Sequence, residues 1–139
     1  MHTEGATERT VAMSEDKRDA LQGLKVLVLE DETLVSMMVE DMLSDLGCQV
    51  IGPASRLDEA IALANAEELD CAVLDVNLGG QPIFPLADIL RAQGHPFAFA
   101  TGYGDAGLRD VDQGSPVLQK PFREGDLARV LGELRAAVG

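Results

Sequence analysis

Two alternating periods constrain this chain more than any other feature. Short apolar runs of strand length are separated by stretches in which apolar residues return every three or four positions. KVLVL (25–29) is continuous after one Lys, as expected of a strand buried on both faces. Leu34, Val35, Met38, Val39, Met42, Leu43 and Leu46 then follow at helical spacing, with Gly47 as a stop. QVIGP (49–53) is a second strand, and Ser55 can cap a helix carrying Leu57, Ile61 and Leu63. DCAVLD (70–75) is the third, and Pro85 can start a helix that stops near Gly94. PFAFA (96–100) and PVLQ (116–119) complete the strands. Leu127, Val130, Leu131, Leu134 and Val138 mark a closing amphipathic helix. Such alternation predicts a five-stranded parallel sheet with helices on both faces. Five units fit the flavodoxin-like (βα)5 fold with strand order 2-1-3-4-5.

One unit is weak. Residues 105–114 (DAGLRDVDQG) should hold the fourth helix, yet only Leu108 and Val111 can anchor it, so a short or mobile element is expected. Residues 1–23 are polar and aperiodic and read as a flexible extension, in which Ser14 could begin a brief helical turn; 24–139 read as one domain. Met37, Met38 and Met42 are expected to pack within the fold rather than to form a ligand set.

Composition narrows the function. No apolar run approaches the roughly 18 residues of a membrane span, and the N-terminus lacks a secretory signal. Cys48 and Cys71 lie inside apolar runs and read as buried free thiols of a cytoplasmic protein. A formal net charge of -13 disfavours direct nucleic-acid binding. His2 and His95 have no partner at metal-ligand spacing, which disfavours zinc.

In a sheet of this order, ligands sit beyond the carboxyl ends of the strands. Those ends carry Glu30-Asp31-Glu32, Asp75, Thr101 and Lys120-Pro121, on strands one, three, four and five, which are consecutive neighbours. Carboxylates held together repel one another, and a lone Lys cannot neutralise them all. A Mg²⁺ ion resolves the conflict and also takes phosphate oxygens as ligands. A carboxylate beside it can attack phosphorus, while a Thr hydroxyl and a Lys ammonium suit the charge that spreads over the phosphoryl oxygens. Gly102 leaves space beside Thr101 for the incoming group, and Tyr103 is placed to report or shield the event.

These residues, in this order, resemble the response-regulator receiver domain of two-component signalling over roughly residues 24–138. FATGY (99–103), preceded by Pro96-Phe97, further resembles the FATGUY group of receivers, often linked to HWE-type histidine kinases. The resemblance implies that Asp75 accepts a phosphoryl group from a sensor histidine kinase. It implies Mg²⁺ held by Asp31 and Asp75 directly, by Glu30 mostly through water, and by the Asn77 carbonyl. Thr101 and Lys120 would bind phosphoryl oxygens, Pro121 would follow a cis peptide that orients Lys120, and Phe122 would pack beneath the turn. Ordinary receivers carry a switch aromatic three residues before the Lys. Val117 stands there, so Tyr103 is expected to take over signalling.

The expected function is a stand-alone receiver, a switch rather than an enzyme. Its output would be binding of a downstream protein, phosphotransfer, or competition for kinase phosphate. A small phosphatase of the haloacid-dehalogenase class is the alternative, but Asn77 stands where its acid/base Asp belongs. A flavodoxin-like carrier is a further alternative, but the first strand–helix loop is acidic where a hydroxyl-rich phosphate loop is needed.

Overall fold

The computed structural model describes residues 20–102 and 108–138. Strands β1 (Lys25–Leu29), β2 (Gln49–Ala54), β3 (Cys71–Asp75), β4 (Phe97–Thr101) and β5 (Val117–Gln119) form one parallel sheet in the order β2-β1-β3-β4-β5. Among the described residues four full helices accompany it: α1 (Thr33–Asp45), α2 (Leu57–Ala66), α3 (Phe84–Ala92) and α4 (Glu124–Val138). This is the expected flavodoxin-like order.

The two-residue period of the strands sorts the core into two layers. Val26, Val28, Cys71, Val73, Ala98, Ala100 and Leu118 face α1 and α4, where Val39, Leu43, Leu127, Val130, Leu131 and Leu134 meet them. Leu27, Leu29, Ala72, Leu74, Phe97 and Phe99 face α2 and α3, meeting Leu57, Ala60, Ala64, Leu86, Ala87 and Leu90. Central strands therefore need apolar residues at every position, which is why β1, β3 and β4 read as unbroken runs.

Several expectations change. Leu21, assigned to the extension, is buried in the α1/α4 layer, and the Gly23 amide donates to the Gly47 carbonyl at 2.8 Å. The packed chain thus begins before residue 24; the proposed turn at Ser14 lies outside the described residues. Ser55 does not cap α2; its own amide instead donates to Glu59 Oε1 at 3.1 Å. Between β4 and β5 the described residues hold no α-helix, only a 3-10 turn at Asp110–Asp112. Val111, an expected anchor, is 60% exposed, whereas Asp112 is fully buried. Leu108 does pack, against the α2/α3 layer. Among the described residues, no helix is long and apolar enough to cross a membrane.

Candidate functional site

The carboxyl ends of β1, β3, β4 and β5 converge because the strands are parallel and adjacent. β1 is followed by Glu30, Asp31 and Glu32 in the loop before α1, so these acids stand outside the first helical turn. Glu30 is buried, and its Oε2 accepts the Glu32 amide at 3.1 Å, which fixes the carboxylate over the strand end. Asp75 ends β3 and is buried, with its Oδ1 accepting the Asn77 amide at 3.0 Å. One oxygen each from Glu30, Asp31 and Asp75 lie within 4.8 Å of one another.

Lys120 enters from the end of β5. Its amide donates to the Thr101 carbonyl at 2.8 Å, tying the ends of β4 and β5 together. Its Nζ lies 2.8 Å from Glu30 Oε1 and 3.3 Å from Asp75 Oδ1. The Lys120-Pro121 peptide is cis, as the sequence suggests. Thr101 is buried at the tip of β4, one residue past the Asp75–Ala100 pairing. A side chain at Gly102 would meet open space, and the Gly102 carbonyl accepts Gln119 Nε2 at 3.0 Å. Tyr103 lies outside the described residues.

Burial and the neighbouring Glu30 carboxylate push the Asp75 carboxyl up to about 7, against the opposing pull of Lys120 and the Asn77 amide. Burial alone would lower Lys120, but its bonds to Glu30 and Asp75 outweigh that and leave it raised. The site holds more negative charge than one ammonium can balance. Its donors are hard carboxylate oxygens, with no Cys or His among them, a set that fits Mg²⁺ rather than a thiophilic metal.

Three features escaped the sequence reading. The loop after Asp75 closes as a tight turn at Gly79-Gly80, both at positive φ (59° and 81°), with Leu78 bridged to Gln81. A Cβ at Gly79 would sit in ordinary contact, 3.5 Å from Asp31 Oδ2, so it is the positive φ of the turn that favours glycine there. The methionines expected to pack inside do not all do so: Met37 and Met38 are 54% and 52% exposed, beside Leu34 at 76%. Met38 and Met42 instead line an apolar groove of about 330 Å³ with Val35, Val39, Pro121 and Phe122, adjoining Lys120. Phe122 does pack against the α1/α4 layer, as expected.

Fold and strand-end chemistry together define a phosphoacceptor domain, and comparison with known proteins agrees. The chain is 38% identical to SdrG from Sphingomonas melonis Fr1, covering 86% of this chain and 97% of that one, with a TM-score of 0.70. A second structure of SdrG shows its BeF3-activated conformation. A response regulator receiver protein from Sinorhizobium medicae WSM419 is 25% identical, over 86% of this chain and 99% of its own, with a TM-score of 0.73. The chain belongs to the response-regulator receiver family. The receiver domain of the sensor histidine kinase PA1611 from Pseudomonas aeruginosa PAO1 shares the fold (22% identity, TM-score 0.71, 82% of this chain and 98% of that one). It has a magnesium ion coordinated in its active-site cleft. No family model matches the chain. The chain spans about half the length of the curated relatives it matches.

Proposed function

We propose that this chain is a single-domain response regulator of the FATGUY group, phosphorylated on Asp75 by a sensor histidine kinase of the HWE type. The observation that carries this reading is the buried Asp75 carboxylate, grouped with Glu30 and Asp31 within 4.8 Å and with Lys120 Nζ at 3.3 Å. In the transfer, an Asp75 oxygen bonds to phosphorus as the bond from phosphorus to the donor imidazole nitrogen breaks. The electron pair leaves with the imidazole, whose other ring nitrogen carries a proton, so the ring departs neutral.

Asp31 and Asp75, with the Asn77 carbonyl and Glu30 through water, would hold Mg²⁺, which when bound offsets the charge gathered on the phosphoryl oxygens. Lys120 leaves Glu30 for a phosphoryl oxygen, and Thr101 donates its hydroxyl to another. Gly102 keeps the approach open, and Pro121 and Phe122 hold the Lys120 turn against the core. With Val117 in place of an aromatic, Tyr103 carries the signal outward. The domain then acts in the cytoplasm through a downstream protein or by phosphotransfer.

The exposed Leu34, Met37 and Met38 and the groove beside Lys120 support docking of a kinase helix next to Asp75, because unbranched methionines adapt to varied apolar partners. The solved BeF3-activated SdrG supports a phosphoryl-dependent conformational response. The haloacid-dehalogenase alternative gains no support, since the Asn77 side chain offers no acid and the bond from Asn77 to Asp75 comes from its backbone N–H.

The test is intact-mass analysis after incubation with a small acyl phosphate. One phosphoryl group should add in the presence of Mg²⁺ and none with chelator. Equal labelling of Asp75→Asn at an unchanged site would refute the assignment.

A further inference from the structure

Where a helix would be expected between β4 and β5, four charged side chains close a ring of alternating sign. Arg91 Nη2 reaches Asp112 Oδ1 at 2.7 Å, and Arg109 Nε reaches Asp112 Oδ2 at 2.7 Å. Arg109 Nη2 reaches Asp88 Oδ1 at 2.8 Å, and Arg91 Nη1 completes the circuit to Asp88 at 3.6 Å. Both guanidiniums lie over aromatic rings, Arg109 4.5 Å from the centroid of Phe84 and Arg91 5.2 Å from that of Phe97. Arg91 thus covers a ring of β4, and Arg109 a ring at the start of α3.

We propose that this ionic ring is a lock: it holds the turn at Asp110–Asp112 in its resting place and opposes phosphorylation of Asp75. The inference rests on the receiver reading of the site. Two observations carry it. First, Leu108 packs before the turn, but the turn itself is fastened by charge, since Val111 is exposed and Asp112 is the buried residue. Opening an apolar anchor exposes hydrocarbon to water. Opening this ring returns partly exposed guanidiniums and two carboxylates to a solvent that hydrates them well, so an open state is within reach.

Second, the ring rests on the element that carries Thr101. Phe97 and Phe99 stack edge-to-face at 5.4 Å, and Phe99 meets Phe84 at 6.4 Å, beneath Arg109. Thr101 follows Phe99 by two residues on the same strand. When Thr101 moves toward a phosphoryl oxygen, the aromatic floor of the ring moves with it. By linkage, a lock that must open for phosphoryl binding lowers the affinity for the phosphoryl group, and removing the lock restores it.

The experiment uses Mg²⁺ and beryllofluoride, a phosphoryl mimic, with the full chain followed by amide NMR. In the wild type, saturating beryllofluoride should speed hydrogen exchange at the Gln113 and Ser115 amides, which donate to Asp110 and Asp112 at rest, at least about fivefold. Arg109→Ala should bind beryllofluoride about fivefold to tenfold more tightly than the wild type. Unchanged exchange in a wild type that does bind beryllofluoride overturns the lock and leaves the receiver reading standing. Equal or weaker binding by a folded Arg109→Ala also overturns it. A folded wild type that takes up no beryllofluoride overturns the receiver reading and the lock together. Should Arg109→Ala fail to fold, the wild-type exchange rates decide the matter alone.

Discussion

Lys120 is bonded to Glu30 at 2.8 Å, so the ammonium beside Asp75 already serves as a counter-ion to the acidic cluster. A divalent cation entering that cluster competes with it. Lys120→Ala should therefore bind Mg²⁺ as tightly as the wild type or several-fold more tightly, by isothermal titration calorimetry. The same variant should lose the amide-shift response to beryllofluoride. A marked fall in Mg²⁺ affinity with the fold retained would count against Lys120 as a phosphoryl partner.

Asp75→Asn should leave the fold intact and the metal-free protein more stable, by about 1 kcal/mol in urea unfolding at pH 8. The direction follows from linkage. The folded carboxyl titrates at about 7, above its unfolded value, so its contribution to stability is full at low pH and is lost as pH rises through 7. At pH 8 the charged, buried group is a cost that Asn removes. Added Mg²⁺ should stabilise the wild type far more than the variant; equal stabilisation would place the metal elsewhere.

The same raised carboxyl makes metal binding depend on pH. Protons and Mg²⁺ compete for Asp75, so the apparent Mg²⁺ affinity should be flat above pH 8 and fall below 7, by about tenfold per unit once protonation dominates. Calorimetric titrations at pH 5.5, 6.5 and 8 measure this slope. Asp75→Asn should flatten it.

Asp112→Asn should destabilise the protein by about 2 kcal/mol, less than for a wholly buried pair because both arginines remain over a third exposed to water. Burial alone would raise the Asp112 carboxyl, but hydrogen bonds from Arg109 and Arg91 overcome it and hold the group below the usual carboxylate range. Its contribution is therefore present above about pH 4 and lost as pH falls through the lowered value. Denaturant midpoints between pH 3 and 7 should show a shallower acid slope in the variant.

Tyr103→Ala should still accept one phosphoryl group at Asp75, by intact mass, while weakening phosphorylation-dependent partner binding. Full retention of partner binding would return the signalling role to another residue.

The sheet was legible because β1, β3 and β4 are buried on both faces, and such strands must be apolar at every position. The strand-end cluster was legible because parallel strands deliver their carboxyl ends to one place, so Glu30, Asp75, Thr101 and Lys120 could be placed together from their position in each run. Periodicity could place Met37 and Met38 on a helix, but it carries no information on what covers them. Asp112 was illegible for a different reason. Its burial depends on Arg91, 21 residues earlier, and on Arg109 beside it, and no local pattern marks an aspartate whose partners are set by tertiary packing. Leu21 was missed because a single apolar residue in a polar stretch has no period.

Leu21 and the far end of α4 have a consequence for how such a domain can be joined to other parts. The chain enters the core at Leu21, before β1, and Leu134 and Ala137 of α4 lie beside Pro96 and Pro116, where β4 and β5 begin. Both points therefore lie at the pole opposite Asp75, about a strand's length of some 16 Å away. A dye or a surface tether placed beside Leu21 or at Ala137 therefore leaves the Asp75 end of the sheet uncovered.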